Sequence, residues 1–134
     1  MLVNGSNFTT IWIESDNQKV KIIDQRLLPH ELSIVTLNTV SDVEFAIREM
    51  QVRGAPLIGV TAAFGMYIAA TEDSSFEYLI KSADFLLKSR PTAVNLSWAI
   101  NKIKLEIKDI NKEDRINHIL NMAIKIRKDE IDAC

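Results

Sequence analysis

The spacing of apolar positions changes near residue 40, and that change divides the chain into two regions. Residues 11–14 and 19–24 are short β-branched runs, separated by the polar set Ser15, Asp16, Asn17 and Gln18 that suits a turn. A third run, SIVTL over 33–37, follows Leu28, Pro29, His30 and Glu31. The connections are too short for helical crossovers, so the pattern predicts an antiparallel sheet. From Ser41 onward the period becomes helical. Ser41 with Glu44 reads as a capping box, and Val43, Ala46, Ile47 and Met50 then share one face.

Arg53 and Gly54 interrupt that helix, and Pro56 stands where a first-turn proline belongs. Residues 55–71 are apolar nearly all round, which predicts a helix at the centre of a bundle. Ser74 with Glu77 predicts the next start, with Phe76, Leu79, Ile80, Ala83 and Leu87 facing inward. Arg90, Pro91 and Thr92 end that helix and open another, whose inner face is Leu96, Ala99, Ile100 and Ile103. Asn111 is the expected cap of a last helix that buries Ile116, Ile119, Leu120, Ala123 and Ile124. The fold class is therefore α+β: a small antiparallel three-stranded β-meander over 1–38, then a bundle of about five helices over 41–134. The last helix meets no glycine or proline stop before Cys134, so the natural chain is expected to continue.

Composition narrows the function classes. With 47% hydrophobic and 25% charged residues, 134 residues suffice for one ordinary domain with a real core. A net charge of −2 gives no basic excess for nucleic acid. The apolar stretch over 55–70 is short for a membrane span and carries Gly59 and Gly65, so no membrane partner is expected. The amino terminus has no signal-peptide pattern, and the single cysteine excludes an intrachain disulfide; both fit a cytoplasmic protein.

Candidate chemistry concentrates at two helix starts. Arg53 and Gly54 stand before a helix that begins Ala55-Pro56, and Arg90 stands before Pro91 at a second start. Helix amino termini expose N–H donors, and arginine adds a planar fork matched to phosphate, so the pair suggests a shared anion site. Taken alone, Arg53 is more readily a surface ion-pair residue and Arg90 a solvated loop residue. Asp24 and Glu31 could be acids or turn caps, His30 reads as a turn residue, and His118 has no companion at metal spacing. Trp12 and Trp98 read as packing residues, while Lys102, Lys104 and Lys108 mark a solvated face. No nucleophile–base set, dinucleotide fingerprint or Walker loop is present, and no cofactor or metal is expected.

Three segments resemble one family. Residues 23–29 (IDQRLLP) resemble the early DQ-x-LLP stretch of the methylthioribose-1-phosphate isomerases. Residues 46–59 (AIREMQVRGAPLIG) resemble their VRGAP signature, continued by Ala62, Ala63, Phe64 and Gly65. Residues 89–96 (SRPTAVNL) resemble their RPTAVNL signature, followed by Trp98 and Ala99. The family also holds the α, β and δ subunits of the translation factor eIF2B and the archaeal ribose-1,5-bisphosphate isomerases. The eIF2B subunits do not generally keep both arginine motifs, which favours the metabolic branch.

The resemblance implies a two-domain homodimeric enzyme of methionine salvage, converting 5-methylthioribose 1-phosphate into 5-methylthioribulose 1-phosphate. It implies substrate contacts from Arg53, Gly54, Ala55 and Arg90. It also implies that the catalytic cysteine and aspartate lie in a carboxy-terminal Rossmann-like domain absent from residues 1–134. Cys134 does not match that cysteine's motif, so this chain alone is expected to be inactive. An eIF2B-like protein-interaction module and a ribose-1,5-bisphosphate isomerase portion are the alternatives.

Overall fold

The computed structural model describes residues 2–3, 6–7, 11–14, 19–24, 26, 33–52 and 54–129. Strands β1 (Leu2–Val3) and β2 (Ser6–Asn7) pair antiparallel. This hairpin was not expected, although Asn4-Gly5 between the two segments is a strong hairpin signal in the sequence. Strands β3 (Ile11–Ile13), β4 (Val20–Ile23) and β5 (Ile34–Leu37) form the expected antiparallel meander, in the order β3-β4-β5. Ile11 pairs with Ile22, and Ile22 with Val35 on its other side. Ile11, Val20, Ile22 and Leu37 join the main core, so the sheet seals one side of the helices. The expected turn at Ser15, Asp16, Asn17 and Gln18 lies outside the described residues, as do Leu28, Pro29, His30, Glu31 and Cys134.

Five α-helices follow: α1 (Val40–Arg48), α2 (Ala55–Glu72), α3 (Phe76–Leu87), α4 (Val94–Ile107) and α5 (Arg115–Arg127). Helix α2 is the hub, touching all four of the others. It is long and apolar enough to cross a membrane by length and composition, yet 78% of it is buried inside the fold. That makes it a core helix, as its all-round apolarity predicts. The expected inner face of α4 is fully buried and extends to Ile107.

Several starts and faces differ from the sequence reading. Helix α1 is capped by Thr39, whose hydroxyl accepts from the Asp42 amide at 3.1 Å, while the Asp42 carboxylate accepts from the Thr39 amide at 3.2 Å. Thr39/Asp42 and Ser41/Glu44 both satisfy the capping-box spacing; the extended backbone at Thr39 selects the first. Helix α1 thus starts two residues earlier than expected and α3 one residue later, with Ser75 accepting from the Tyr78 amide at 3.3 Å. Replacing Thr39 by alanine should cost about 1 kcal/mol, and an unmoved urea midpoint for Thr39→Ala would disprove the cap.

Met50 is exposed rather than inward, because it terminates α1 with a left-handed φ of 64°. On α3, Phe76 is exposed and Leu86 is buried, with Ile80 and Leu87 half-buried. On α5, Ile124 is exposed and Met122 and Ile126 are buried in its place. Asn111 makes no side-chain cap; it precedes a 3-10 turn over Lys112–Asp114 that feeds α5.

Arg115 closes the α4–α5 corner. Its guanidinium donates to the carbonyls of Ile107 (3.3 Å), Ile110 (3.0 Å) and Ser74 (2.9 Å), and its cation sits 5.8 Å from the Phe76 ring centre. It thereby satisfies carbonyls at the end of α4 that the helix cannot pair internally.

Candidate functional site

The start of α2 is built by an abrupt exit from α1. After the left-handed Met50, Gln51 and Val52 turn into the core, and Gly54 takes a φ of 97°. A Cβ there would meet no atom within 4 Å, so backbone conformation rather than space calls for glycine. Gly54, Ala55 and Pro56 are exposed at the surface. The Gly54 carbonyl accepts from the Ile58 amide at 3.0 Å, but no side chain caps the first turn. Arg53 lies outside the described residues.

Gln51 is held from the sheet side. Its amide donates to the Asp24 carboxylate at 3.1 Å. The same carboxylate accepts from the Arg26 amide at 3.0 Å and from the Arg26 guanidinium at 3.1 and 2.9 Å. The guanidinium hydrogen bonds outweigh burial and hold the Asp24 pKa below its ordinary value. Asp24 is thus a structural anion that fastens the segment leading into α2. The sequence had left it open between acid and cap.

Helix α4 starts in a similar way. The Arg90 carbonyl accepts from the Ala93 amide at 3.0 Å, and Ala93 begins the helix without a side-chain cap. Arg90 is half-buried, and its guanidinium forms no hydrogen bond or ion pair with any described residue. Neither α2 nor α4 has an acidic residue in its first turn. By contrast α1 and α3 have both a capping side chain and an acid there, Asp42 and Glu77. The two helices that follow the arginine motifs therefore keep donors free that α1 and α3 cover with their own side chains.

These two starts abut. A Cβ on Gly59 would lie 2.9 Å from the Asn95 carbonyl oxygen, an approach only glycine permits. Beside this contact opens a cleft of about 370 Å³, lined by Pro56, Gly59, Val94, Asn95, Trp98 and Ile126. Trp98, read from sequence as a packing residue, is 49% exposed and forms a wall of it. Sequence reasoning missed the cleft because its walls come from three helices far apart in the chain. Elsewhere, His118 bonds to Glu106 at 2.9 Å, and no group of three metal-ligating side chains occurs among the described residues.

The cleft-bearing stretch is also the part that carries the family pattern. Residues 51–133 match the model of the Initiation factor 2 subunit family. The chain belongs to that family. Among the family's curated proteins it is similar to the methylthioribose-1-phosphate isomerase of Sinorhizobium medicae, 44% identical over 132 residues. Its likeness to that of Rhizobium meliloti is 46% over 132 residues. In both alignments 98% of this chain but only 36% of the relative is covered, so the chain spans about a third of their length.

Two solved family structures share the fold. The 5-methylthioribose 1-phosphate isomerase of Pyrococcus horikoshii is 36% identical with a TM-score of 0.79, covering 90% of this chain and 36% of that one. The translation initiation factor eIF-2B subunit delta of A. fulgidus is 32% identical with a TM-score of 0.84, covering 93% and 38%. Both branches of the family thus have this domain, and the fold by itself does not separate them.

Proposed function

We propose that this chain is the amino-terminal, sugar-phosphate-binding part of an aldose–ketose isomerase that converts 5-methylthioribose 1-phosphate into 5-methylthioribulose 1-phosphate. One observation carries the reading: two uncapped helix starts, each following an arginine motif, abut at Gly59 and Asn95. A phosphate at the start of α2 would meet free first-turn N–H groups at Gly54 and Ala55, and the family resemblance adds Arg53 and Arg90 as its guanidinium donors. The names of the curated relatives supply the substrate.

Phosphate on the anomeric carbon prevents spontaneous ring opening. The ring C–O bond has to break with acid assistance before a hydrogen moves between the first two carbons. In this reading the acid and its partner belong to a carboxy-terminal domain, and the amino-terminal domain spans 1–134, with the meander over 1–38 and the helices over 41–134. The complete protein is then a cytoplasmic homodimer of methionine salvage, with no need of nucleic acid or membrane. The alternative of an interaction module has its own support in the TM-score of 0.84 with the eIF-2B subunit.

A chimera tests the reading. Residues 1–134 replace the matching stretch of the Rhizobium meliloti relative, and conversion of 5-methylthioribose 1-phosphate is followed. The chimera should turn over, and Arg90→Ala within it should lower kcat/KM by roughly 10–100-fold, the worth of one charged hydrogen bond. Residues 1–134 alone should give no conversion, since general acid–base groups commonly contribute ~10²–10⁴-fold. A folded chimera indifferent to Arg90→Ala would leave the interaction module as the better reading.

A further inference from the structure

We infer that Gln51, tethered to Asp24, is a positioning residue for the anion site, aiming the Gly54 amide that stands just outside α2. The inference rests on the sugar-phosphate reading above and adds what holds that site in place. The chain leaves α1 through the left-handed Met50 and reaches α2 through Gly54, whose φ is also positive. A Cβ on Gly54 would meet nothing within 4 Å, so packing at Gly54 itself does not hold this joint. Glycine tolerates a wide range of backbone angles, and the direction of its amide therefore depends on how the preceding residues are anchored. Val52 is tied to α1, its amide donating to the Ala46 carbonyl at 3.3 Å. Gln51 is tied to the sheet, its buried side chain donating to the Asp24 carboxylate at 3.1 Å.

Asp24 is a firm anchor for that tether. It directly follows β4, and its own amide donates to the Ser33 carbonyl at 2.9 Å. Its carboxylate is gripped by the Arg26 guanidinium, which in turn lies 5.7 Å from the centre of the Phe45 ring on α1. Arg48 lies 5.6 Å from the same ring. One assembly thus joins the sheet, the end of α1 and the segment that leads to Gly54. For cohesion alone, a well-packed apolar pair would serve as well as a buried charge. What the hydrogen bond adds is direction, because it weakens steeply when its angle is lost.

The test is an NMR titration of the isotope-labelled 134-residue chain with inorganic phosphate, read at the Gly54 and Ala55 amides. Gln51→Met keeps the length of the side chain and leaves Asp24 its Arg26 bonds. It should weaken phosphate binding about fivefold while the rest of the amide spectrum stays in place. Asp24→Asn reads the same tether from its other end and carries the test if Gln51→Met does not fold. Combined, the two changes should cost within about twofold of Gln51→Met alone, since both act through one bond. Thr39→Ala, which loosens the opposite end of α1, should leave the affinity unchanged. If the parent binds phosphate and Gln51→Met binds it equally well, Gln51 is merely structural and the sugar-phosphate reading stands. An equal loss in Thr39→Ala would also overturn the inference, by showing that general loosening is enough. If the parent's Gly54 and Ala55 amides do not respond to phosphate, the sugar-phosphate reading falls and this inference falls with it.

Discussion

Replacing Gly59 with alanine should lower stability by about 2 kcal/mol and push the first turn of α4 away from α2. The added Cβ would sit 2.9 Å from the Asn95 carbonyl oxygen and 3.3 Å from both the Asn95 carbonyl carbon and its Cβ. A backbone carbonyl at a helix start cannot rotate aside; the whole turn has to shift. Alanine's better helix propensity, worth up to ~1 kcal/mol over glycine, offsets only part of this. Gly65 on the same helix provides the comparison. Its Cβ would meet Val43 Cγ1 at 2.8 Å and Leu86 Cδ1 at 3.0 Å, both of them side-chain ends. Gly65→Ala should therefore cost less, about 1 kcal/mol, and leave the cleft unchanged. Urea denaturation of both variants separates them. A Gly59→Ala variant at least as stable as Gly65→Ala would mean that the helix contact is not as tight as described.

Asp24→Asn should cost about 2 kcal/mol at neutral pH and lose that penalty in acid. Asp24 is 3% exposed and gathers four hydrogen bonds, from Arg26 and Gln51. The Arg26 side chain is 41% exposed, so solvent screens the pair and much of the cost is a poorly matched, buried Gln51. The sign with pH follows from the depressed pKa. A carboxylate that ionises more readily when folded stabilises above its unfolded pKa of about 3.9, and that contribution fades as pH falls through the lower folded value. Stability curves of parent and variant should therefore run apart above about pH 5 and converge below about pH 3. Curves that stay parallel across that window would show that the charge of Asp24 contributes nothing.

Much of this molecule was legible in its sequence, for identifiable reasons. The hub helix announced itself because a long apolar run stood between Gly54-Ala55-Pro56 and Asp73. The meander was legible because its β-branched runs were separated by segments too short for helical crossovers. Exact helix starts were not, since Thr39/Asp42 overlaps Ser41/Glu44 and Ser74 adjoins Ser75; only backbone conformation chooses between them. The end of α1 was hidden because a methionine, not a glycine, adopts the left-handed turn. On α5, isoleucines occur on several faces, and packing against α2 selected Ile119, Met122, Ala123 and Ile126.

The candidate site divides along similar lines. The motif glycines and prolines foretold two helix starts suited to an anion. The apolar cleft was invisible because it exists only where α2, α4 and α5 come together. The role of Asp24 was ambiguous for the same reason, as Gln51 lies 27 positions away.

The central placement of α2 also bears on how the chain is made. Two of its principal covers, α4 and α5, are translated after it. At ~5–20 residues per second, a ribosome takes on the order of 3–10 s to extend from Glu72 to Arg127. Through that interval the nascent chain presents an apolar segment of membrane-spanning length with much of its shelter not yet synthesised. The order of elements thus makes each newborn molecule a passing client for whatever holds hydrophobic segments at the exit tunnel, until the fifth helix arrives to release it.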